Sequence, residues 1–332
     1  MMIDVKDLVK CYGTEQAVAG ISFSVTPGEI VGFLGPNGAG KTTTLRVLTG
    51  YLAPTSGQVN ILNYNIEKNP IEVKKRIGYL PESNPLYYEM NVLDYLMFIA
   101  ELRGIEKENI KNRLSDIIYL CGIKDVLSKN ISNLSKGYKQ RVGIAQAMIH
   151  NPDILIMDEP TSGLDPNQII EIRDLIKNLR KEKTIILSTH ILSEVQATCD
   201  RVIIINKGKI VADGKTGEIN KFVTGNEELT VKLKGGIENT AEIFLDIHGI
   251  SELNVKSISH ALTEIKIISK QGIDLREKVF NRAVERKLVI LEQTRTILSL
   301  EDVFRMLTQD DVTHSGKEKV SKKAEKNNDS EI

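Results

Sequence analysis

The chain has 332 residues, enough to bury a full core and hold two domains, with 41% apolar and 27% charged residues as in ordinary soluble globular proteins. Its formal net charge is zero, which gives no support to a nucleic-acid coat, and no nucleic acid is expected among its partners. Cys11, Cys121 and Cys199 lie far apart, fit no zinc or pairing motif and suit a reducing compartment. The N-terminal segment lacks the apolar stretch of a signal peptide, and no run approaches the ~18 apolar residues of a membrane span. Any membrane crossing is expected to come from another chain.

In chain order, residues 3–9 and 20–25 read as two edge strands, with a turn at Pro27-Gly28. An apolar strand over 29–34 and a helix over 42–48 follow. Between them stands Gly35-Pro36-Asn37-Gly38-Ala39-Gly40-Lys41-Thr42-Thr43, with the spacing of a phosphate-binding loop. Its glycines let backbone N–H groups turn inward onto phosphate oxygens, and the positive end of the helix adds to the cradle. Lys41 supplies a charge to the β- and γ-phosphates, and Thr42 offers a hydroxyl to magnesium. A nucleoside triphosphate is therefore the expected ligand.

Further strands are expected at 57–62 and 77–80, and a helical stretch over 91–120, where Val92, Leu93, Leu96, Ile99 and Leu102 recur at three and four. Ser135 reads as the N-cap of a helix to residue 149. The strand 153–157 delivers Asp158 and Glu159 at its carboxyl end, which in an open α/β sheet faces the ligand crevice. Asp158 would hold magnesium through water, and Glu159 would orient the attacking water. A helix to 181, a strand over 184–188 and a pair at 202–205 and 209–212 complete an α/β unit with a largely parallel sheet.

Beyond Thr224-Gly225-Asn226 the order becomes strand 229–234, helix 240–248, strands 252–258 and 261–268, helix 273–286 and strand 288–294, a ferredoxin-like β-α-β-β-α-β unit. Ser299 with Asp302 reads as a capping box opening a helix to 307. The lysine-rich tail 311–332 reads as disordered; a membrane-surface or ribosome contact through Lys317, Lys319, Lys322 and Lys323 is the alternative. The expected domains are 1–222, with a helical subdomain at about 85–150, and 228–309.

Asn133-Leu134-Ser135-Lys136-Gly137, placed after the phosphate loop and before Asp158-Glu159, resembles the signature of the ABC ATPases. The resemblance covers residues 1–222 and implies a P-loop ATPase core with a mostly parallel sheet, an antiparallel β edge and a helical subdomain. It further implies that Ser135 and Gly137 grip the γ-phosphate of ATP held by an opposite subunit, and that Tyr12 stacks on adenine. The stretch Ile77-Gly78-Tyr79-Leu80-Pro81-Glu82 looks like the loop whose glutamine reaches magnesium; this chain has Glu82 there, an extra negative charge expected to tighten metal binding or slow the switch. Ser162-Gly163-Leu164-Asp165 resembles the loop that crosses the dimer interface, and His190 matches the switch histidine. Lys136 and Tyr138 depart from the usual glycine and glutamine; Lys136 either adds charge to the phosphate across the interface or points to solvent.

The same combination, with the closing Ser299-Leu300-Glu301-Asp302-Val303-Phe304, resembles bacterial exporter subunits of the gliding-motility, sodium-export and multidrug-export kind. That implies ATP and magnesium as cofactors, a separate polytopic permease, and a head-to-tail homodimer or a heterodimer with a paralogue. The implied location is peripheral, on the cytoplasmic face of the cell (inner) membrane. Part of the segment 85–120, with Tyr87, Tyr88 and Tyr95, is expected to line a groove for a permease helix, exposed near residues 87–90. The alternatives are a non-transport ABC ATPase acting on ribosomes or DNA, and a small-molecule kinase; the latter leaves Ser135, Gly137, Asp165 and His190 unexplained.

Overall fold

The computed structural model describes residues 1–217, 228–234, 240–259, 262–269 and 273–296. The chain divides into two units, Met1–Phe222 and Val223–Ile332.

In the first unit, β1 (Ile3–Tyr12) and β2 (Glu15–Val25) pair antiparallel, with alternating residues buried. β4 (Ser56–Ile61) returns to the other side of β1, and the short β5 (Tyr64–Asn65) follows it, giving the order β2-β1-β4-β5. The expectation that both opening strands are edges is thus corrected: β1 is interior, because Val59 and Ile61 bring a second apolar edge to pair with it.

β3 (Ile30–Leu34), β6 (Ile77–Leu80), β7 (Ile154–Asp158), β8 (Thr184–Thr189), β9 (Arg201–Asn206) and β10 (Lys209–Lys215) form a second, six-stranded sheet, ordered β10-β9-β3-β8-β7-β6. All neighbours are parallel except β10 and β9. Every residue of β3, β7 and β8 is buried, as continuous apolar runs require when both faces are covered. One core joins the two sheets: Phe23 meets Phe33 edge-on at 5.1 Å, among Leu8, Leu45, Val59, Ile156, Ile186 and Ile203.

The helices of this unit are α1 (Lys41–Leu48), α2 (Pro70–Arg76), α3 (Val92–Leu102), α4 (Lys107–Cys121), α5 (Lys136–Met148), α6 (Pro166–Leu179) and α7 (Leu192–Thr198). The helical stretch expected over 91–120 holds two helices, separated where Gly104 adopts a left-handed φ of 72°. α5 packs tightly on β6: a Cβ at Gly78 would lie 2.2 Å from the Ala147 carbonyl. The carboxyl end of α5 is fixed by Arg113, which donates to the Met148 and Ile149 carbonyls at 2.6 and 2.8 Å.

In the second unit, β11 (Glu228–Lys234), α8 (Thr240–Leu245), β12 (Ile250–Ser259), β13 (Leu262–Ser269), α9 (Arg276–Glu285) and β14 (Val289–Thr296) follow one another. The sheet is antiparallel in the order β12-β13-β11-β14, the ferredoxin-like arrangement. Its core gathers Val231, Leu233, Phe244, Ile265, Ile267, Val279 and Ala283. The helix expected from Ser299 and the tail 311–332 lie outside the described residues.

Candidate nucleotide site

Because β3, β7 and β8 run parallel, their carboxyl ends meet at one edge, with Leu34 beside Thr189 and Asp158 beside Ser188. Tyr12, Pro36, Asn37, Gly38, Ala39, Gly40, Lys41, Thr42, Thr43, Glu82, Glu159 and His190 line a cleft there of about 700 Å³, joined by Glu15, Ala17 and Ser162. Gly40 opens α1 at φ 105°, and a Cβ on it would fall 2.5 Å from the Ala17 carbonyl, so only glycine fits. The first-turn N–H groups of α1 have no intrahelical acceptor and suit an anion. Tyr12 is half exposed on the wall, with Lys10 Nζ 5.6 Å from its ring centre.

Lys41 is 6% exposed. Its ammonium donates to the Gly35 carbonyl at 2.7 Å and the Pro36 carbonyl at 3.3 Å, and lies 3.6 Å from Glu159 Oε1. The other Glu159 oxygen, Oε2, is 2.8 Å from His190 Nδ1. One carboxylate is therefore oriented from both sides. Glu159 has φ 50°, a left-handed conformation that costs a non-glycine residue about 1–2 kcal/mol. Two acceptors on β8 hold it there: its N–H reaches Ser188 Oγ at 3.0 Å and the Ser188 carbonyl at 3.2 Å.

Asp158 is 1% exposed. Its Oδ1 accepts from Ser188 Oγ at 2.5 Å and Thr42 Oγ1 at 3.2 Å, whereas Oδ2 is buried with no partner. The orphaned Oδ2, the Thr42 hydroxyl bonded to Oδ1 and the Glu82 carboxylate on the cleft wall are all oxygen donors, the kind magnesium takes. Tyr79 feels the same charge: its hydroxyl is pushed up to about 12, first by burial and then by Asp158.

Ser135, Gly137 and Asp165 are not among the residues lining this cleft. Ser135 caps α5, its Oγ accepting from Tyr138 N at 3.3 Å. Asp165 caps α6 by accepting from Gln168 N at 2.9 Å, and the Gln168 side chain covers Gly137, so these three residues form a separate group. Lys136 is exposed, and its ammonium lies against Gly163 of its own chain, where a Cβ would come within 2.1 Å.

An ABC transporter family model matches residues 18–162. The bacitracin transport ATP-binding protein BcrA of Bacillus licheniformis is 37% identical over 306 residues, which span 91% of this chain and 96% of BcrA. The chain belongs to the ABC transporter ATP-binding proteins. Similarity to the linearmycin resistance ATP-binding protein LnrL of Bacillus subtilis is 34% over 309 residues, covering 92% of this chain and 98% of LnrL. Among solved structures, the dimeric MJ0796, a bacterial ABC transporter cassette, superposes with a TM-score of 0.59 at 26% identity, over 65% of this chain and 99% of that one. This ABC ATPase binds ATP and hydrolyses it. Among the described residues no helix is long and apolar enough to cross a membrane.

Ser188, which holds both Asp158 and the Glu159 N–H, belongs to no motif of this ABC ATPase that local sequence singles out. Its only local signal is that a polar residue follows the apolar run Ile185–Leu187 near the end of β8. The expected groove is also corrected. Tyr95 is 1% exposed, its hydroxyl donating to Gln146 Oε1 at 2.5 Å, and belongs to the core. Tyr87 and Tyr88 are exposed as expected, and Met97, Phe98 and Leu102 on α3 join them.

Proposed function

We propose that this chain is the peripheral ATP-hydrolysing subunit of an ABC exporter, on the cytoplasmic face of the cell membrane, driving a separate polytopic permease. Two copies, or this chain and a paralogue, meet head to tail, with each ATP between the cleft of one and Ser135–Gly137 of the other. One observation carries this reading. The cleft gathers Lys41, Thr42, Glu159 and His190, with Asp158 bonded to Thr42 behind its wall, while Ser135, Gly137 and Asp165 stand apart on the same chain, as expected of half-sites that a second chain completes. The dimeric cassette structure and the relatives named for bacitracin transport and linearmycin resistance support it.

Tyr12 stacks on the adenine, and the loop 35–43 cradles the phosphates. Lys41 leaves its own-loop carbonyls for the β- and γ-phosphates, which frees Glu159 to hold a water in line with the γ-phosphate. His190, already on Glu159, steadies the γ-phosphate oxygens. Magnesium would be held by Thr42, Asp158 and Glu82, and when bound it offsets phosphate charge. Loss of the γ-phosphate removes the ligand shared by both chains, and the pair opens.

The output surface is the aromatic patch following Glu82. Tyr87 lies 5.6 Å from Phe98 with the rings tilted by 36° and meets Tyr95 edge-on at 5.8 Å, and Lys139 Nζ sits 5.4 Å from the Tyr88 ring centre. Purification of the full chain from detergent-solubilised membranes is expected to recover a polytopic membrane protein in fixed ratio, and Tyr87→Ala with Tyr88→Ala to weaken that recovery. Ribosomes or DNA recovered instead would overturn the exporter reading.

A further inference from the structure

The most heavily committed buried acid outside the cleft is Glu194, in the first turn of α7. It is 4% exposed, and both of its oxygens are used. Oε1 accepts from Thr161 Oγ1 at 2.5 Å, and Oε2 accepts from Thr189 Oγ1 at 2.7 Å. The Thr189 hydroxyl in turn accepts from Ile191 N at 3.0 Å. Among the described residues Glu194 has no ion-pair partner. Burying a carboxylate on two hydroxyls alone is costly, and the positive end of a short helix offsets only part of it. An apolar residue would pack α7 at lower cost.

What the acid gains is a link between two separate loops. Thr161 lies two residues after Glu159, and Thr189 lies one residue before His190. Both threonines are buried, at 6% and 0% exposure. On one side of the sheet edge, Ser188 ties β8 to Asp158 and to the Glu159 N–H. On the far side, Glu194 closes the same two segments again. The 2.8 Å pair between Glu159 Oε2 and His190 Nδ1 is held between these two clasps. The strained backbone of Glu159 needs such over-determination to persist.

We infer that Glu194 is a positioning residue for ATP hydrolysis: by binding Thr161 and Thr189 together it fixes the distance and angle between Glu159 and His190. This rests on the roles proposed above for those two groups. Glu194 is buried and does not line the cleft. Its effect is on kcat, because the phosphate loop that sets ATP affinity is built from other residues.

The test is steady-state ATP hydrolysis by the full chain for wild type, Glu194→Gln, Thr161→Val, Thr161→Ser and Glu159→Gln, with thermal midpoints and nucleotide affinity measured alongside. Glu194→Gln keeps the shape but turns one acceptor into a donor. It and Thr161→Val are expected to lower kcat about tenfold or more, with KM for ATP within about twofold. Thr161→Ser restores the hydroxyl and recovers most of the rate. The two losses are expected not to multiply when combined, since they break one link. Wild-type kcat in both variants beside an inactive Glu159→Gln would overturn the inference alone. So would a loss explained entirely by a smaller folded fraction. An active Glu159→Gln would overturn the parent reading instead. If Glu194→Gln does not fold, Thr161→Val against Thr161→Ser decides.

Discussion

The phosphate loop opens α1 and Ser135 opens α5, yet these two helix starts are built differently. At α1 the cap is a left-handed glycine with no side-chain bond, and Lys41 and Thr44 behind it are buried, at 6% and 0% exposure. Its polar groups are tied across the sheet to Asp158 and Glu159. At α5 the cap is a serine that satisfies only its own helix, and Ser135 and Lys136 are exposed. α5 is anchored at its other end, where Arg113 and His150 hold the chain. A site finished inside one chain needs buried, cross-linked groups. A surface offered to a second chain needs a fixed helix whose cap faces outward, as Ser135 does here. The contrast supports the composite site proposed above.

The largest effect tests the finished side. Lys41→Ala is expected to lower ATP hydrolysis about a thousandfold, with nucleotide affinity falling too, measured by phosphate release and nucleotide titration. Wild-type affinity in that variant would break the comparison. Next comes the offered side. Ser135→Ala is expected to lower kcat about a hundredfold while ATP affinity of the dilute chain stays unchanged, at a cost of about 1 kcal/mol from the lost cap. Ser135→Asp sharpens this: the cap, and with it the thermal midpoint, is expected to return while activity does not, because a carboxylate repels the γ-phosphate.

Smaller effects refine each half. Glu82→Gln removes a charge from the cleft and is expected to raise the magnesium concentration needed for half-maximal hydrolysis about threefold, read from hydrolysis rate against free magnesium. The anchored end of α5 has its own pH signature. His150 is pushed down to about 4, first by burial and then by the Arg103 charge, from an ordinary 6.5. It folds neutral, so its share of stability is intact above pH 6.5 and is lost as pH falls from 6.5 towards 4. His150→Gln is expected to flatten the stability curve by about 2 kcal/mol between pH 7.5 and 5, measured by denaturant titration.

The same physics explains what the sequence disclosed. β3 and β7 were legible because strands buried on both faces are unbroken apolar runs, and a loop of glycines or a pair of acids at their ends has no packing reason to be there. The second unit was legible in its order because its alternating strands bury one face. α2 and α7 were not, because seven residues carry too little periodicity, and α7 buries Glu194 where an apolar residue would be looked for. Tyr95 and Phe98 were indistinguishable on α3, where apolar residues occupy both the buried and the open faces. Glu194, Thr161 and Thr189 meet only through the adjacency of β7 and β8, which no local pattern states.

In the mechanism proposed above, one chain holds half of each ATP site. The direct measurement is ATP hydrolysis per subunit against protein concentration, wild type beside Glu159→Gln. The rate per subunit is expected to rise with concentration, and Glu159→Gln to be inactive and to elute from gel filtration as an ATP-bound dimer. A rate independent of concentration that survives Glu159→Gln would contradict this mechanism and return the phosphate loop to the kinase reading.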